Sequence, residues 1–591
     1  MSFDAKTFKA QFPLFSQPEN ATLTYLDNAA TTQVPQCVLD AMTGFYLHQN
    51  GNAQRASHRL ARSATDMVTQ TRQLAADFMG VNDALPERSV VLTSGATESL
   101  NLIAYGLASL FNAGGEIVLS AGEHHANLLP WQRLAEQQKS RLVFVPNDHT
   151  GAPDWSRWAE VVSERTKVLA LSAASNVLGE VIDLSLIARI KQRFSSLIIV
   201  LDASQIACHM PLRVTQWQCD FMVCSAHKFY GPKGAGLLYG RPELLAQMQP
   251  MHLGGEMVEQ AMLHRSELAE GAQRFEAGTS SLSAIAGLNA CLQFWQRQDR
   301  NAMQAYEQML TDYLYRSLAA VCQPAVGLRI LRSERSLETH SSSSQLHHAQ
   351  TRNVGIAVIV IDHSVTSLAM SLSDLAHWLD DSNIAVRMGR HCAHTLWQSL
   401  SSGGVGVTNG LRVSLAAYNT VQDIDNLIAA ITAFTRTYCV ATDSSEMSVS
   451  SDLVLSSDSV LSDDLSHLCE QDLLDAPSWQ KRFKVLVEWG KAITVKPSIR
   501  RPECEVRGCE SQVWVKHCLI DDRHYFFIDS DANLVKGLSA LLLLWFNGKT
   551  RETIQAINVE ERCQTLGLEK YLSESRMNGF LSIVAVMKRA E

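Results

Sequence analysis

Lys228 lies in the stretch VCSAHKFYGPKGAG (Val223–Gly236), directly after an apolar run and ahead of a loop with three glycines and a proline. A strand ending this way delivers a hydroxyl (Ser225), an imidazole (His227) and an amine to one place. In open α/β sheets that place, beyond the carboxyl ends of the strands, is where ligands bind. A lone His-Lys pair is more often a solvated loop, so the reading depends on what accompanies it. TSGATES (Thr93–Ser99) sets small residues and hydroxyls where a helix should begin, and free N–H groups with the helix dipole suit a phosphate there. LDASQ (Leu201–Gln205) ends another apolar run on a carboxylate, Asp202, suited to capping a turn or to facing a protonated ring nitrogen.

A phosphate cradle, an acid for a pyridinium and a lysine for a Schiff base are the three requirements of pyridoxal phosphate. The charge-assisted bond from Asp202 would contribute roughly 1.5–3 kcal/mol. The elements that must carry these groups repeat along the chain. Val90–Thr93 reads as a strand, and Leu100, Ile103, Ala104, Leu107 and Phe111 then recur at helical spacing. EIVLSAGEHHANLL, KVLALSAASNVLG and SLIIVLDASQIA repeat the sequence of strand, then loop. This alternation predicts an α/β domain with a largely parallel sheet.

At 591 residues the chain exceeds one core, and about 100–200 residues per domain allows three or four. No lysine or arginine occurs between Arg436 and Lys481, which holds nine acids; without them the chain balances at 51 acidic against 51 basic residues. That balance argues against a nucleic-acid or anionic-membrane surface. The Ser/Asp run within this stretch predicts a mobile linker over 441–466, between a domain at 1–440 and another at 467–591. A serine-rich insertion, Ser341–Ser344, falls inside the first domain. The longest apolar run, Leu538–Phe546, is too short to span a membrane and reads as a buried helix. With no secretory signal and thirteen cysteines lacking metal-type C-x-x-C spacing, we expect a soluble cytoplasmic protein with reduced thiols and no bound metal. Beyond the linker, WQKRFKVLVEWGKAI and ANLVKGLSALLLLWF predict helices, and SQVWVKHCLI and RHYFFID predict paired strands, which is a small α+β domain.

EHHANLLPWQ, SNVLGEVIDL, LDASQ, SAHKFYGPKGAGLLYG, RFEAGT, AVRMGRHCA and LRVSLAAYNT together resemble the group II (SufS/CsdA-type) cysteine desulfurases, from about Thr24 to Thr437. The resemblance implies a fold-type I, class V aminotransferase-like domain that binds pyridoxal phosphate, acts on L-cysteine and forms a homodimer. It implies Lys228 as the cofactor-binding lysine that also moves the Cα proton. His124 would stack on the ring and assist proton transfer, Asp202 would face its nitrogen, and Gln205 would bond its hydroxyl. Thr97, Ser225 and His227 would hold the phosphate, with Thr279 reaching in from a partner subunit. Asn176 and Arg412 would bind the substrate carboxylate and Arg387 would line the same pocket, while Arg55 and His58 fall where relatives reach across the dimer. Cys392 matches the nucleophile, which takes sulfur as a persulfide and leaves alanine. Arg387, Arg390 and His391 around it would favour the thiolate.

RGCESQVWV, DSDANLVKGLSALLL and LSESRMNGF resemble the SufE/CsdE sulfur acceptors over about Leu468–Lys588. The resemblance implies that Cys509 accepts the persulfide sulfur, with Asp531 and Arg576 at the family's other motif positions; Cys504, five residues upstream and outside the motif, reads as a bystander, the alternative being a disulfide with Cys509 under oxidation. The sulfur would go on to a further acceptor or iron–sulfur scaffold. A selenocysteine lyase or a cysteine sulfinate desulfinase is the alternative on the same scaffold. An acceptor cysteine in the same chain is useful only to a persulfide. A catalytically dead carrier would lack a key residue, yet Lys228, Asp202, His124 and Cys392 are all present.

Overall fold

The structure, a computed structural model, describes residues 3–54, 57–82, 85–111, 115–148, 150–323, 327–332, 352–361, 372–402, 406–440, 465, 467–476, 479–494, 496–506, 512–530, 532–568 and 574–590. Arg55, Cys509, Asp531, Ser341–Ser344 and nearly all of 441–466 lie outside the described residues. The chain divides into two compact units. One comprises Met1–Cys322, Arg329–Val360 and Ala385–Asn426; the other Gln323–Leu328, Ile361–Ile384 and Leu427–Glu591.

The first unit is built on seven strands: β1 (Val90–Thr93), β2 (Glu116–Leu119), β3 (Arg141–Phe144), β4 (Thr166–Ser172), β5 (Ile198–Asp202), β6 (Phe221–Ser225) and β7 (Gly236–Gly240). Their order across the sheet is β1-β7-β6-β5-β4-β2-β3. From β6 to β3 every pairing is parallel, while β7 runs antiparallel to both β1 and β6. The parallel core matches the alternating sequence pattern. Val168–Leu171 and Ile199–Leu201 are almost wholly buried, as expected for central strands covered on both faces. The antiparallel strand GLLYG was hidden in the sequence by its bracketing glycines.

One of those glycines positions the site. A Cβ on Gly236 would lie 2.7 Å from the Gly95 nitrogen and 2.9 Å from its carbonyl carbon, so β7 passes directly under the loop leading into helix α2. Here α1 is Arg59–Met79 and α2 is Ala96–Gly106. Ser225 Oγ, at the end of β6, accepts the first N–H of α2 from Ala96 at 2.8 Å. Strand end and helix start are thus fastened together. A second sheet orders β8 (Leu328–Leu331), β9 (Ile356–Ile361), β10 (Arg387–Gly389) and β11 (Gly410–Ser414) as β8-β9-β11-β10, with β11 antiparallel to β9 and β10. It carries Arg387 and Arg412 on adjacent strands, paired opposite one another.

In the second unit, helix α5 (Trp479–Ala492) packs on α6 (Asn533–Phe546), beside an antiparallel hairpin of β12 (Val513–Ile520) and β13 (Arg523–Ser530). Both helices and both strands fall where the sequence predicts them. Asp529, fully buried at the end of β13, takes Arg500 Nε at 2.7 Å and Lys536 Nζ at 3.4 Å. Helix α3 (Leu372–Asp381) also belongs to this unit. Its Trp378 meets Phe434 and Phe483 edge-on, at ring separations of 5.9 and 5.7 Å. Among the described residues no helix is long and apolar enough to cross a membrane.

Candidate active site

A cavity of about 500 Å³ opens where β4, β5 and β6 end. Its walls bring together Thr97, His124, Asn176, Asp202, Gln205, Ser225, His227, Lys228, Arg387, Cys392 and Arg412. These come from segments spread over more than 300 residues, brought together by the ends of the parallel strands and by β10 and β11 of the second sheet. Thr279 is not among them; it is exposed and does not line the cavity of its own chain. His58 is also elsewhere, capping α1 by accepting the Ala61 N–H at 3.2 Å.

Lys228 sits on a single 3₁₀ turn after β6. The chain on either side is pinned: Thr32 donates its N–H to the His227 carbonyl at 2.8 Å, and Trp295 Nε1 donates to the Phe229 carbonyl at 2.8 Å. Tyr230, at φ +69°, donates its own N–H to Thr32 Oγ1 at 2.8 Å. Against this rigid frame the lysine's ammonium has no hydrogen bond or ion pair among the described residues. Burial lowers its pKa, partly offset by the Asp202 carboxylate. Asp202 itself has one oxygen tied, accepting the Ser204 N–H at 2.9 Å.

Burial and the Lys228 charge hold His124 down at about 4, and the same two causes hold His227 at about 4. Both rings are therefore neutral at pH 7. His391 is pushed down to about 3, first by burial and then by Arg412. This corrects an expectation: His391 lends no positive charge to Cys392, because a buried ring beside a guanidinium does not take up a proton. Arg390 differs too. Its side chain is exposed and does not line the cavity, and its carbonyl instead accepts from Ala393 N and Trp397 Nε1, both at 3.0 Å.

The strongest electrostatic feature escaped the sequence reading. Asp27 accepts Arg387 Nη2 at 2.8 Å and Nε at 3.0 Å, and Arg412 Nη2 at 3.3 Å. Arg412 also donates Nη1 to the Asn176 carbonyl at 2.9 Å, and its Nε is buried without a partner among the described residues. One carboxylate thus neutralises half of a two-arginine wall and leaves room for a second, incoming anion. The run TYLDNAATT, an acid between an apolar strand and small residues, was the signal that could have found it. Replacing Asp27 by Asn should leave Arg412 under-compensated and cost about 1.5–3 kcal/mol. We expect a lower Tm together with a raised KM for an amino-acid substrate; an unchanged KM would count against Asp27 as the residue that orients Arg412.

Cys392 is exposed, at φ +55°, next to His391 at φ +50°. Two consecutive non-glycine residues in the left-handed region cost about 1–2 kcal/mol each, and such strain persists only where the surroundings over-determine it. Asn176 Nδ2 donates to the His391 carbonyl at 2.7 Å, and His125 N to the Cys392 carbonyl at 2.9 Å.

The lysine, the half-free Asp202 carboxylate, two neutral histidines and the orphaned Arg412 Nε form a donor and acceptor set that suits pyridoxal phosphate with an amino-acid carboxylate. Residues 24–427 match the family described as aminotransferase class-V, and residues 469–591 match the Fe-S metabolism associated domain. A probable cysteine desulfurase of Pseudomonas putida is 36% identical over 430 residues, 73% of this chain and 98% of that protein. The crystal structure of cysteine desulfurase CsdA from Escherichia coli is 30% identical, with a TM-score of 0.63 over 74% of this chain and 100% of that one. An apo cysteine desulfurase from Thermococcus onnurineus NA1 is 29% identical, with a TM-score of 0.64 and the same coverage.

Proposed function

The chain belongs to the class-V aminotransferase family as a pyridoxal-phosphate-dependent cysteine desulfurase with a fused sulfur-acceptor domain, and on that premise we propose that Cys392 takes sulfur from L-cysteine and hands it to Cys509. The observation that carries this reading is the single cavity in which Lys228, Asp202, His124, Arg412 and Cys392 meet.

Lys228, Asp202, Gln205, Thr97, Ser225 and His227 would hold the cofactor, with His124 beside its ring. When bound, pyridoxal phosphate supplies an electron sink that labilises the substrate's Cα proton and its Cβ–S bond. Arg412 binds the substrate carboxylate, with Asn176 and Arg387 alongside. Lys228, its charged form disfavoured by burial, takes the Cα proton. The Cys392 thiolate then attacks the substrate sulfur: an S–S bond forms, the Cβ–S bond breaks, and alanine leaves after reprotonation. In the second transfer the Cys509 thiolate attacks the outer sulfur of the Cys392 persulfide, and Cys392 is restored as a thiolate.

We divide the chain into a desulfurase domain at 1–440, a linker at 441–466 and an acceptor domain at 467–591. By random-coil statistics about 25 residues span about 25–30 Å, and tethers of that reach give effective concentrations on the order of a millimolar. The exposed Thr279, and Leu263, 98% exposed between the antiparallel strands Val258–Ala261 and Ser266–Leu268, favour a homodimer in which the partner's Thr279 completes the phosphate site and Arg55 approaches the substrate across the interface. The likeness of the acceptor to an Fe-S metabolism associated domain favours iron–sulfur cluster assembly as the destination. A relay of free thiols suits the reducing cytoplasm.

A short pulse of L-cysteine, followed by alkylation and peptide mass analysis, tests the relay. We expect sulfane sulfur on Cys392 and Cys509 in the parent, and on neither in Cys392→Ser. Sulfur reaching Cys509 in that variant, or alanine without persulfide on either cysteine, would overturn it.

A further inference from the structure

On its C-terminal side, the segment that bears Cys392 is fastened to the turn Ala121–His125. Helix α4 (His394–Leu400) begins two residues after the cysteine. From its first turn, Thr395 Oγ1 donates to the Ala121 carbonyl at 2.7 Å. The His125 N–H reaches the Cys392 carbonyl, as described above. Between these two bonds lies a third contact, made by side chains alone. His394 Nδ1 and His125 Nε2 are 2.9 Å apart, and the rings stack at 4.8 Å with 24° between their planes. The backbone N–H of His394 also points at His125 Nε2, at 3.5 Å. With the His394 N–H aimed at it, His125 Nε2 is the acceptor and His394 Nδ1 the donor, so the pair is matched as long as the His125 ring is neutral. Burial and the facing ring lower the pKa of His125, which favours that state.

The catalytic reading uses neither ring. His124, the preceding residue, lines the cavity, whereas His125 and His394 do not. His124 is itself fixed by accepting the Ala126 N–H on Nδ1 at 3.1 Å. One dipeptide thus sends its first ring into the site and uses its second to hold the nucleophile's segment. That segment needs holding, because His391 and Cys392 both occupy the left-handed region, from which an unrestrained loop would relax. On the other side of the strained pair, His391 Nε2 lies 3.2 Å from the Gly410 carbonyl. The strained turn is therefore held at both ends, and only the His125–His394 end lies on the exposed side shared with the Cys392 thiol.

We propose that His125 and His394 form a clasp that holds Cys392 in its reactive position, each acting as a positioning residue for persulfide formation. This rests on Cys392 being the nucleophile. Opening the clasp lets the exposed thiol leave its fixed position in the cavity wall, where an alkylating agent meets it from more directions, and carries it away from the substrate sulfur. Reactivity towards a small alkylating agent and turnover should then move in opposite directions.

The experiment uses the complete enzyme with its cofactor and compares His394→Ala with His394→Asn, whose amide can still donate to His125 Nε2. In His394→Ala we expect iodoacetamide to label Cys392 about three- to tenfold faster while kcat falls about tenfold. KM for L-cysteine should stay within about twofold, because the carboxylate-binding arginines are untouched. His394→Asn should recover most of both effects, and Tm and the cofactor spectrum should match the parent in both variants. Unchanged labelling in His394→Ala would overturn the clasp whatever Cys392 does, since alkylation does not depend on catalysis. Faster labelling with unchanged kcat would overturn the proposal through the role given to Cys392.

Discussion

Lys228→Ala should abolish alanine formation, by about a thousandfold or more, and leave the fold intact. The two halves of that expectation have separate causes. Activity is lost because no other amine lines the cavity: among its described walls the remaining basic groups are His124, His227, His391, Arg387 and Arg412. The histidines are held neutral at about 4, 4 and 3, and the arginines are committed to Asp27. The fold survives because the backbone around residue 228 is held by Thr32 and Trp295, and neither contact involves the lysine side chain. Removing an ammonium that burial already disfavours should shift Tm of the cofactor-free protein by less than about 2 °C. Borohydride reduction and peptide mass analysis provide the check. The cofactor should be found on Lys228 in the parent and on no residue in the variant. Label on a different lysine, or activity retained to within tenfold, would remove Lys228 from the centre of the mechanism.

Part of this was readable in the sequence, for a physical reason. Parallel strands end at one edge of a sheet, so residues that follow apolar runs, such as Asp202 and Lys228, converge without any knowledge of the strand order. What stayed hidden depends on contacts between distant segments. The pairing of Asp27 with Arg387 joins residues 360 apart in the chain, and the run TYLDNAATT singles out the acid without naming its partner. The close approach of β7 to Gly95 looks, in sequence, like two unremarkable glycines. Charge states were hidden as well. His391 beside Arg390 suggests a cationic environment for Cys392, but burial leaves the imidazole neutral and Arg390 turns to solvent. Thr279 marks the remaining limit: the motif implies a phosphate ligand, yet one chain keeps it away from its own cavity.

Gly537→Ala should separate the two activities of the chain. A glycine-to-alanine change inside an exposed helix ordinarily stabilises by roughly 0.5–1 kcal/mol. Here the sign reverses. Gly537 is where α6 presses against α5, and a Cβ would land on the Leu486 carbonyl, 2.6 Å from its carbon and 3.0 Å from its Cα. The obstacle is backbone, so no side-chain rotation relieves it. The helices must part, and Phe483, Leu486 and Leu541, all fully buried, would lose their packing. Overpacking of this kind costs about 1–3 kcal/mol, and helix separation adds to it, which outweighs the propensity gain. The neighbouring Lys536–Asp529–Arg500 cluster would be displaced with α6 and lose its geometry. We expect the acceptor half to melt at a lower temperature. Alanine formation in the presence of an added reductant should stay within about twofold, because the cavity at Lys228 contains nothing from α5 or α6. Sulfur capture at Cys509 should fall in parallel with that lowered melting. If capture persists while the helix pair is disrupted, the acceptor does not need its folded helices. If alanine formation collapses too, the desulfurase depends on the acceptor for more than removal of sulfur.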